Sequence, residues 1–333
     1  MSAPLIWVLP DGRPGNASQC LGVAEALGLP YEIKKVGYTW AALLDNRLRG
    51  ASLLGTDAAT KGLLVPPWPD LLITAGRRAA PAARYVKKQS GGRTFLVQLM
   101  HPTHHADDFN LIAVPHHDRR PAAPNILTVT GAGHHVSPAK LAAAAALWRE
   151  RLAALPPPRL AVMIGGAFGQ KPLPVAVALD MIGQISRVAN RLGGGILLTT
   201  SRRTPADVVA AIPGAITCPA YSHFWTPDGE NPYFGFLALS SASVITGDSV
   251  SMLCEATVTE RPVYILSPPG LARRKQALLH ERLLELGYAE RFEALAASTG
   301  PLPSGPYRPL NAAHDIAAAI RTRLGWRGPD DPV

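Results

Sequence analysis

Two short segments carry the residue types best suited to chemistry. One is Gly229-Glu230-Asn231-Pro232-Tyr233-Phe234-Gly235-Phe236, and the other is Gly247-Asp248-Ser249-Val250-Ser251-Met252-Leu253-Cys254-Glu255-Ala256. The second reads as a strand (243–246), a glycine turn, and a helix that opens on two hydroxyls. A helix N-terminus presents free N–H groups and a partial positive charge, so anions settle there. Glu255 lies one turn beyond Ser251 on the same face. A phosphate held by Ser249 and Ser251 leaves Glu255 placed to accept hydrogen bonds from a ribose diol. The same spacing also fits an ordinary N-cap followed by a surface glutamate. The Asn231–Tyr233 segment is polar and aromatic together, as ligand-contacting loops often are.

Other loops offer partners for such a site. Ser201-Arg202-Arg203-Thr204 follows an apolar strand, and its arginines suit bidentate binding of a diphosphate. Gly165-Gly166-Ala167-Phe168-Gly169-Gln170-Lys171 is a glycine-rich turn where backbone at Gly166 can approach a ligand closely. Nearer the start, Asp11-Gly12-Arg13-Pro14-Gly15-Asn16 packs two glycines and a proline into six residues. This turn could cradle an anion or a sugar, with Asn16 as the helix N-cap. Arg77 and Arg78 close the next strand in the same manner. Five histidines and three aspartates fall between His101 and Asp118. Their spacing matches no compact zinc motif, and neighbouring histidines rarely bind one metal together, so no metal is expected. A general base is the better reading: His101, Asp118 or Asp11 could deprotonate an acceptor hydroxyl.

These loops need strands to hold them. Apolar strand-like runs at 5–9, 70–74, 94–99, 111–114 and 126–130 alternate with helical stretches at 17–27 and 138–155. Pro156-Pro157-Pro158 breaks the chain, and the pattern restarts with strands at 160–164, 196–200, 243–246 and 262–266. The expected architecture is α/β, with two Rossmann-like domains facing across a cleft. Residues 1–155 form the N-terminal, acceptor-side domain, and 159–310 the C-terminal, nucleotide-sugar domain. A C-terminal helix within 311–333 crosses back to the first domain, and the tail beyond it frays. Every loop above follows an expected strand, where open α/β sheets bind their ligands.

Bulk composition narrows the class. The chain has 333 residues, 47% hydrophobic and 17% charged, enough for two packed cores. Its three cysteines are widely spaced and suit a reducing compartment. No apolar run reaches a membrane span and no leader pattern opens the sequence, so a cytoplasmic location is expected. The net charge of +9 favours anionic partners such as nucleotides or acidic lipid headgroups, which leaves room for peripheral contact with a membrane. No aromatic-interleaved basic stripe points to nucleic acid.

The motifs together resemble bacterial members of the mitochondrial-fission "elongated mitochondria" family. The resemblance rests on 11–16 with Gln19, 75–84, 95–100, 199–204, 229–236 and 248–253 with Glu255-Ala256. It covers nearly the whole chain. Three places depart from the family pattern, which usually has Asp-Pro where this chain has His101-Pro102, Glu-His-Asp where it has His116-His117-Asp118, and a Ser/Lys-containing turn where it has the segment after Gly165-Gly166. That favours Asp118 as the shared group. The family's architecture is similar to GT-B glycosyltransferases. The resemblance therefore implies a metal-independent glycosyltransferase with no cofactor, taking a nucleotide-diphosphate sugar to a glycan or lipid-linked acceptor. In the nucleotide-sugar site it implies, Glu255 matches the ribose-binding position and Ser249 and Ser251 the phosphate loop; the loops read above add Arg202, Arg203, Gly166, Asn231 and Tyr233. The strand-end loops read above supply the expected acceptor or sugar contacts at Gly12, Arg13, Gly15, Asn16 and Arg77. A nucleotide-sugar 2-epimerase and a non-catalytic recruitment scaffold are the alternatives.

Overall fold

A computed structural model describes residues 3–327, and the tail expected to fray lies almost wholly outside them. The chain divides into two compact units. One comprises Met1–His135 with Asn311–Val333, and the other Val136–Leu310.

The first unit is built on a six-stranded parallel sheet. Its strands are β1 (Ile6–Leu9), β2 (Glu32–Ile33), β3 (Leu71–Ala75), β4 (Phe95–Leu99), β5 (Leu111–Pro115) and β6 (Ile126–Val129). Their spatial order is β2-β1-β3-β4-β5-β6. Every pairing is parallel. The uninterrupted apolar runs now make sense, because both faces are covered and successive side chains alternate between them. Ile6, Val8, Leu71 and Ile73 pack on one face with residues of the helices Pro14–Leu27 and Ala312–Leu324. Trp7, Leu9, Leu72 and Leu96 pack on the other with the helix Ala80–Gln89.

The second unit repeats the plan. Its strands are β7 (Arg159–Ile164), a small antiparallel pair β8 (Ala167–Phe168) and β9 (Lys171–Pro172), then β10 (Gly195–Thr200), β11 (Ala220–His223), β12 (Ala242–Thr246), β13 (Val263–Leu266) and β14 (Glu290–Arg291). The main sheet runs β11-β10-β7-β12-β13-β14, the arrangement of a dinucleotide-binding Rossmann sheet. The fold class is the expected one: α/β, with two Rossmann-like parallel sheets.

Several local expectations change. The first helix begins at Pro14, not Ala17, so Asn16 lies inside its first turn and Arg13 is the N-cap. Proline suits that first position because its missing N–H would have no partner there. The helix expected over 138–155 is regular only from Pro138 to Trp148, and it belongs to the second unit. There Trp148 packs edge-on against Tyr221 and Phe236. The helix Ala206–Ala215 and the strands β2 and β11 were not anticipated; the two strands lie at sheet edges and lack a long apolar run. The helix Ala312–Leu324 packs on Pro14–Leu27, and Arg321 donates to the carbonyls of Ala26 and Leu27 at that helix's last turn.

Candidate functional site

In each sheet the strand order reverses once, between β1 and β3 in the first unit and between β7 and β12 in the second. Such reversals open a crevice at the carboxyl ends of the strands.

In the second unit the strand ends at the reversal are tied together by a residue that sequence reasoning did not assign. Asp248 is 3% exposed. Its Oδ2 accepts the N–H groups of Gly166 and Ala167, both at 3.0 Å, and its Oδ1 accepts the Thr246 hydroxyl at 2.8 Å. The Arg203 guanidinium lies 3.8 Å from Oδ2. The carboxylate thus ties the turn after β7 to the turn after β12. The turn after β10 joins them through the Thr204 hydroxyl, which donates to the Gly165 carbonyl at 2.8 Å. The glycines permit this closeness. A Cβ on Gly165 would lie 1.9 Å from Asp248 Oδ1, and one on Gly166 would lie 2.1 Å from the Arg203 carbonyl. On the far side His280 Nε2 meets the Gly247 carbonyl at 2.8 Å, and burial holds its pKa below the ordinary histidine value. The ring is therefore neutral near pH 7 and uses Nε2–H as donor.

On this frame Arg202 and Arg203 project into solvent from the turn after β10. The helix Val250–Ala256 begins at Ser249, whose side chain does not cap it. Its first-turn N–H groups thus lack the usual side-chain acceptor. Glu255 is not the surface residue its spacing allows: it is 8% exposed. Its Oε2 accepts the Tyr233 hydroxyl at 2.8 Å, which joins the two most distinctive motifs directly. Tyr233 opens a helix, Tyr233–Leu239, where a loop was expected, and Asn231 Oδ1 accepts its backbone N–H. Desolvation and the neighbouring carboxylate push the Tyr233 phenol well above its ordinary pKa, so it stays a donor.

The first unit has a parallel device. Asp11, 1% exposed, accepts the Arg13 N–H at 3.1 Å, and its carboxylate lies 3.8 Å from Arg78 Nε. Arg78 also donates to the Asp11 carbonyl and stacks over the Tyr38 ring. Gly76, at φ 78°, leaves no room for a side chain: a Cβ would lie 2.6 Å from Asn16 Nδ2 and 2.8 Å from Asp11 Oδ2. So Asp11, expected as a base, is sealed into the loop it organises. Gly12, Arg13 and Arg77 are exposed around it, with Gly15 and Asn16 half-buried. Further along the same edge, the turns after β4 and β5 carry His101 and Asp118. Four residues there, Met100, Thr103, His105 and Arg119, hold positive φ without being glycine, a strain that tends to gather at functional sites. His101 Nδ1 accepts the Thr103 N–H at 3.1 Å. Desolvation and Arg120 lower its pKa, against the opposing effect of Asp118. Among the described residues, no three His, Cys, Asp or Glu side chains converge as a cation site requires.

Comparison with known proteins agrees with this architecture. The family described as "Mitochondrial fission ELM1" matches residues 14–324. The chain belongs to that family. It is 29% identical over 282 residues to the mitochondrial fission protein ELM1 of Arabidopsis thaliana, covering 78% of this chain and 65% of that protein. The chain thus spans about two thirds of that plant relative. It is 28% identical to the uncharacterized protein RP120 of Rickettsia prowazekii, over 96% of this chain and 98% of that one. Among solved structures, the Methanocaldococcus jannaschii UDP-GlcNAc 2-epimerase, in complex with UDP-GlcNAc and UDP, matches with a TM-score of 0.51. The match spans 96% of this chain and 99% of that one at 12% identity, a likeness of fold. Glycosyltransferases of GT-B type share the same likeness. No helix among the described residues is long and apolar enough to cross a membrane.

Proposed function

We propose that this chain is a glycosyltransferase that uses a nucleotide-diphosphate sugar without a metal. The observation that carries the reading is the knot of three turns around Asp248 at the β7/β12 reversal, with Arg202 and Arg203 exposed beside it. Supporting it, the structural neighbour named above holds UDP-GlcNAc on the same fold. In this reading Arg202, Arg203, the N–H groups behind Ser249 and Ser251, and the Gly166 backbone take the diphosphate. Glu255, oriented by Tyr233 and Asn231, takes the ribose. Gly12, Arg13, Gly15, Asn16 and Arg77 meet the acceptor or the sugar, and Asp11 positions their loop.

Transfer with inversion then needs one base. In the first unit the candidate is His101, whose pKa is lowered so that it is neutral near pH 7, and whose Nδ1 accepts the Thr103 N–H, which leaves Nε2 as the atom suited to take a proton, with Asp118 favouring the imidazolium. The acceptor oxygen bonds to the anomeric carbon as the carbon–oxygen bond to the diphosphate breaks. The departing pair of electrons rests on the diphosphate, where the arginines neutralise it.

A 2-epimerase is the second reading, favoured by the identity of that structural neighbour. Incubation with UDP-GlcNAc alone, followed by NMR, separates the two. A transferase is expected to leave the sugar's C2 configuration intact and to release UDP slowly to water. Accumulation of the C2-inverted sugar without an acceptor would replace the transferase reading, and failure of every nucleotide in the titration below to bind would favour a recruitment scaffold.

A further inference from the structure

Of the exposed large hydrophobic side chains among the described residues, seven fall between Ile33 and Val65 of the first unit, and Leu147 is the one elsewhere. The most prominent are Trp40 at 77%, Leu43 at 76% and Leu48 at 74% exposed. They stand on a loop closed at its base, where Tyr38 bridges Thr56 and the Thr39 N–H reaches the Gly55 carbonyl. Trp40 and Leu43 are three apart on a 3₁₀ helix, Trp40–Leu43, and so share one face.

The loop is held rigidly from within. Arg49, only 2% exposed, donates from Nε to the Leu54 carbonyl, from Nη1 to Asn46 Oδ1 and from Nη2 to the Arg78 carbonyl. Asn46 donates to the Arg77 carbonyl at 2.9 Å. A buried guanidinium satisfied by neutral acceptors is costly, and here it fixes a loop whose outward residues are apolar. The same bonds seat the loop on the Gly76-Arg77-Arg78 turn, at the edge of the sheet that carries His101. Lys35, Arg47 and Lys61 are exposed in the same segment, and between Ile33 and Val65 there are five basic residues against two acidic ones.

We propose that the loop 39–55 is a docking surface for an anionic lipid bilayer. Protruding tryptophan and leucine on a segment that also carries exposed lysine and arginine suit the membrane interface, where the indole sits at headgroup level and cations meet acidic lipid. The proposal does not depend on sugar transfer, though it would bring a lipid-linked acceptor to the edge beside Arg77.

Co-sedimentation with vesicles tests it, using phosphatidylcholine alone and with about a third phosphatidylglycerol. Wild type is expected to bind the anionic vesicles. The double variant Trp40→Glu/Leu43→Glu should bind at least about tenfold more weakly. Arg47→Gln and Lys61→Gln should each weaken binding about fivefold, on the anionic vesicles alone. Leu147→Glu, on the other unit, should change nothing. Unchanged thermal melting and unchanged nucleotide binding would show that the variants are folded and would separate this test from that of the sugar-nucleotide site. Equal vesicle binding by wild type and the double variant would overturn the proposal. So would concentration-dependent self-association of wild type, without vesicles, that the double variant abolishes, because a second copy would then cover the patch.

Discussion

At the scale of single residues, two buried aspartates, Asp248 and Asp11, hold the turns at the strand ends. Asp248 gathers two backbone N–H groups and a hydroxyl in a buried place. Asp248→Ala leaves those donors unpaired and should destabilise the second unit by about 2–4 kcal/mol, read by urea denaturation. A loss of less than half a kcal/mol would mean the knot is not what holds the turns. Tyr233→Phe removes a hydrogen bond to a carboxylate and should cost about 1–3 kcal/mol. The histidines set a pH dependence. His101 and His280 both have folded pKa values below the unfolded value, so the unfolded chain binds more protons as the pH falls. Stability should therefore rise with pH through the region at and below the ordinary histidine value, then level off. His280→Gln, which keeps a donor toward the Gly247 carbonyl, should flatten part of that slope in thermal melts at a series of pH values. A slope of the opposite sign would mean these rings gain charge on folding.

At the scale of elements, the glycines matter through the distances between turns. Gly166→Ala drives a Cβ to 2.1 Å from the Arg203 carbonyl. The turns after β7 and β10 must then separate, and nucleotide affinity should fall with stability. Gly62→Ala, which meets nothing within 4 Å, is the matched control and should be neutral or slightly stabilising in the same assays. The helix Ala312–Leu324 buries Ile316 and Ile320 against the first sheet's core. A chain cut at residue 310 should lose several kcal/mol from the first unit and expose the face of Pro14–Leu27, which circular dichroism melts would show.

How much of this was legible in the sequence follows from the same physics. Buried parallel strands such as 71–75 and 160–164 announce themselves as apolar runs, and a loop follows each, so the strand-end positions of the arginines, His101 and Ser249 could be read directly. Edge strands β2 and β11 lack that run and were missed. The boundary was misplaced because proline marks the end of a helix, not the unit that the helix packs on. Asp248 was visible in the Gly247-Asp248-Ser249 turn. Its partners lie more than eighty residues away at Gly166 and Ala167, and no local spacing reports such a contact. For Glu255 the spacing left a ribose-facing and a surface glutamate both open, because its cover, Tyr233, comes from another helix.

At the scale of the whole molecule, the net charge of +9 favours anionic partners, and Arg202 and Arg203 are exposed at a strand end. Both the sugar-nucleotide reading and the lipid reading draw on that balance, and both should weaken with added salt. Membership of the ELM1 family and a fold shared with sugar-nucleotide enzymes set the frame, and the second unit's crevice is where the central claim stands or falls. The direct test is calorimetric titration with UDP, GDP, TDP, ADP and CMP on wild type, Arg202→Ala and Glu255→Ala. The account predicts micromolar binding of one nucleoside diphosphate, weakened at least about tenfold by Arg202→Ala through loss of a charge-assisted hydrogen bond, and weakened again by Glu255→Ala. Equal affinity in wild type and both variants, or no heat with any nucleotide, would contradict it.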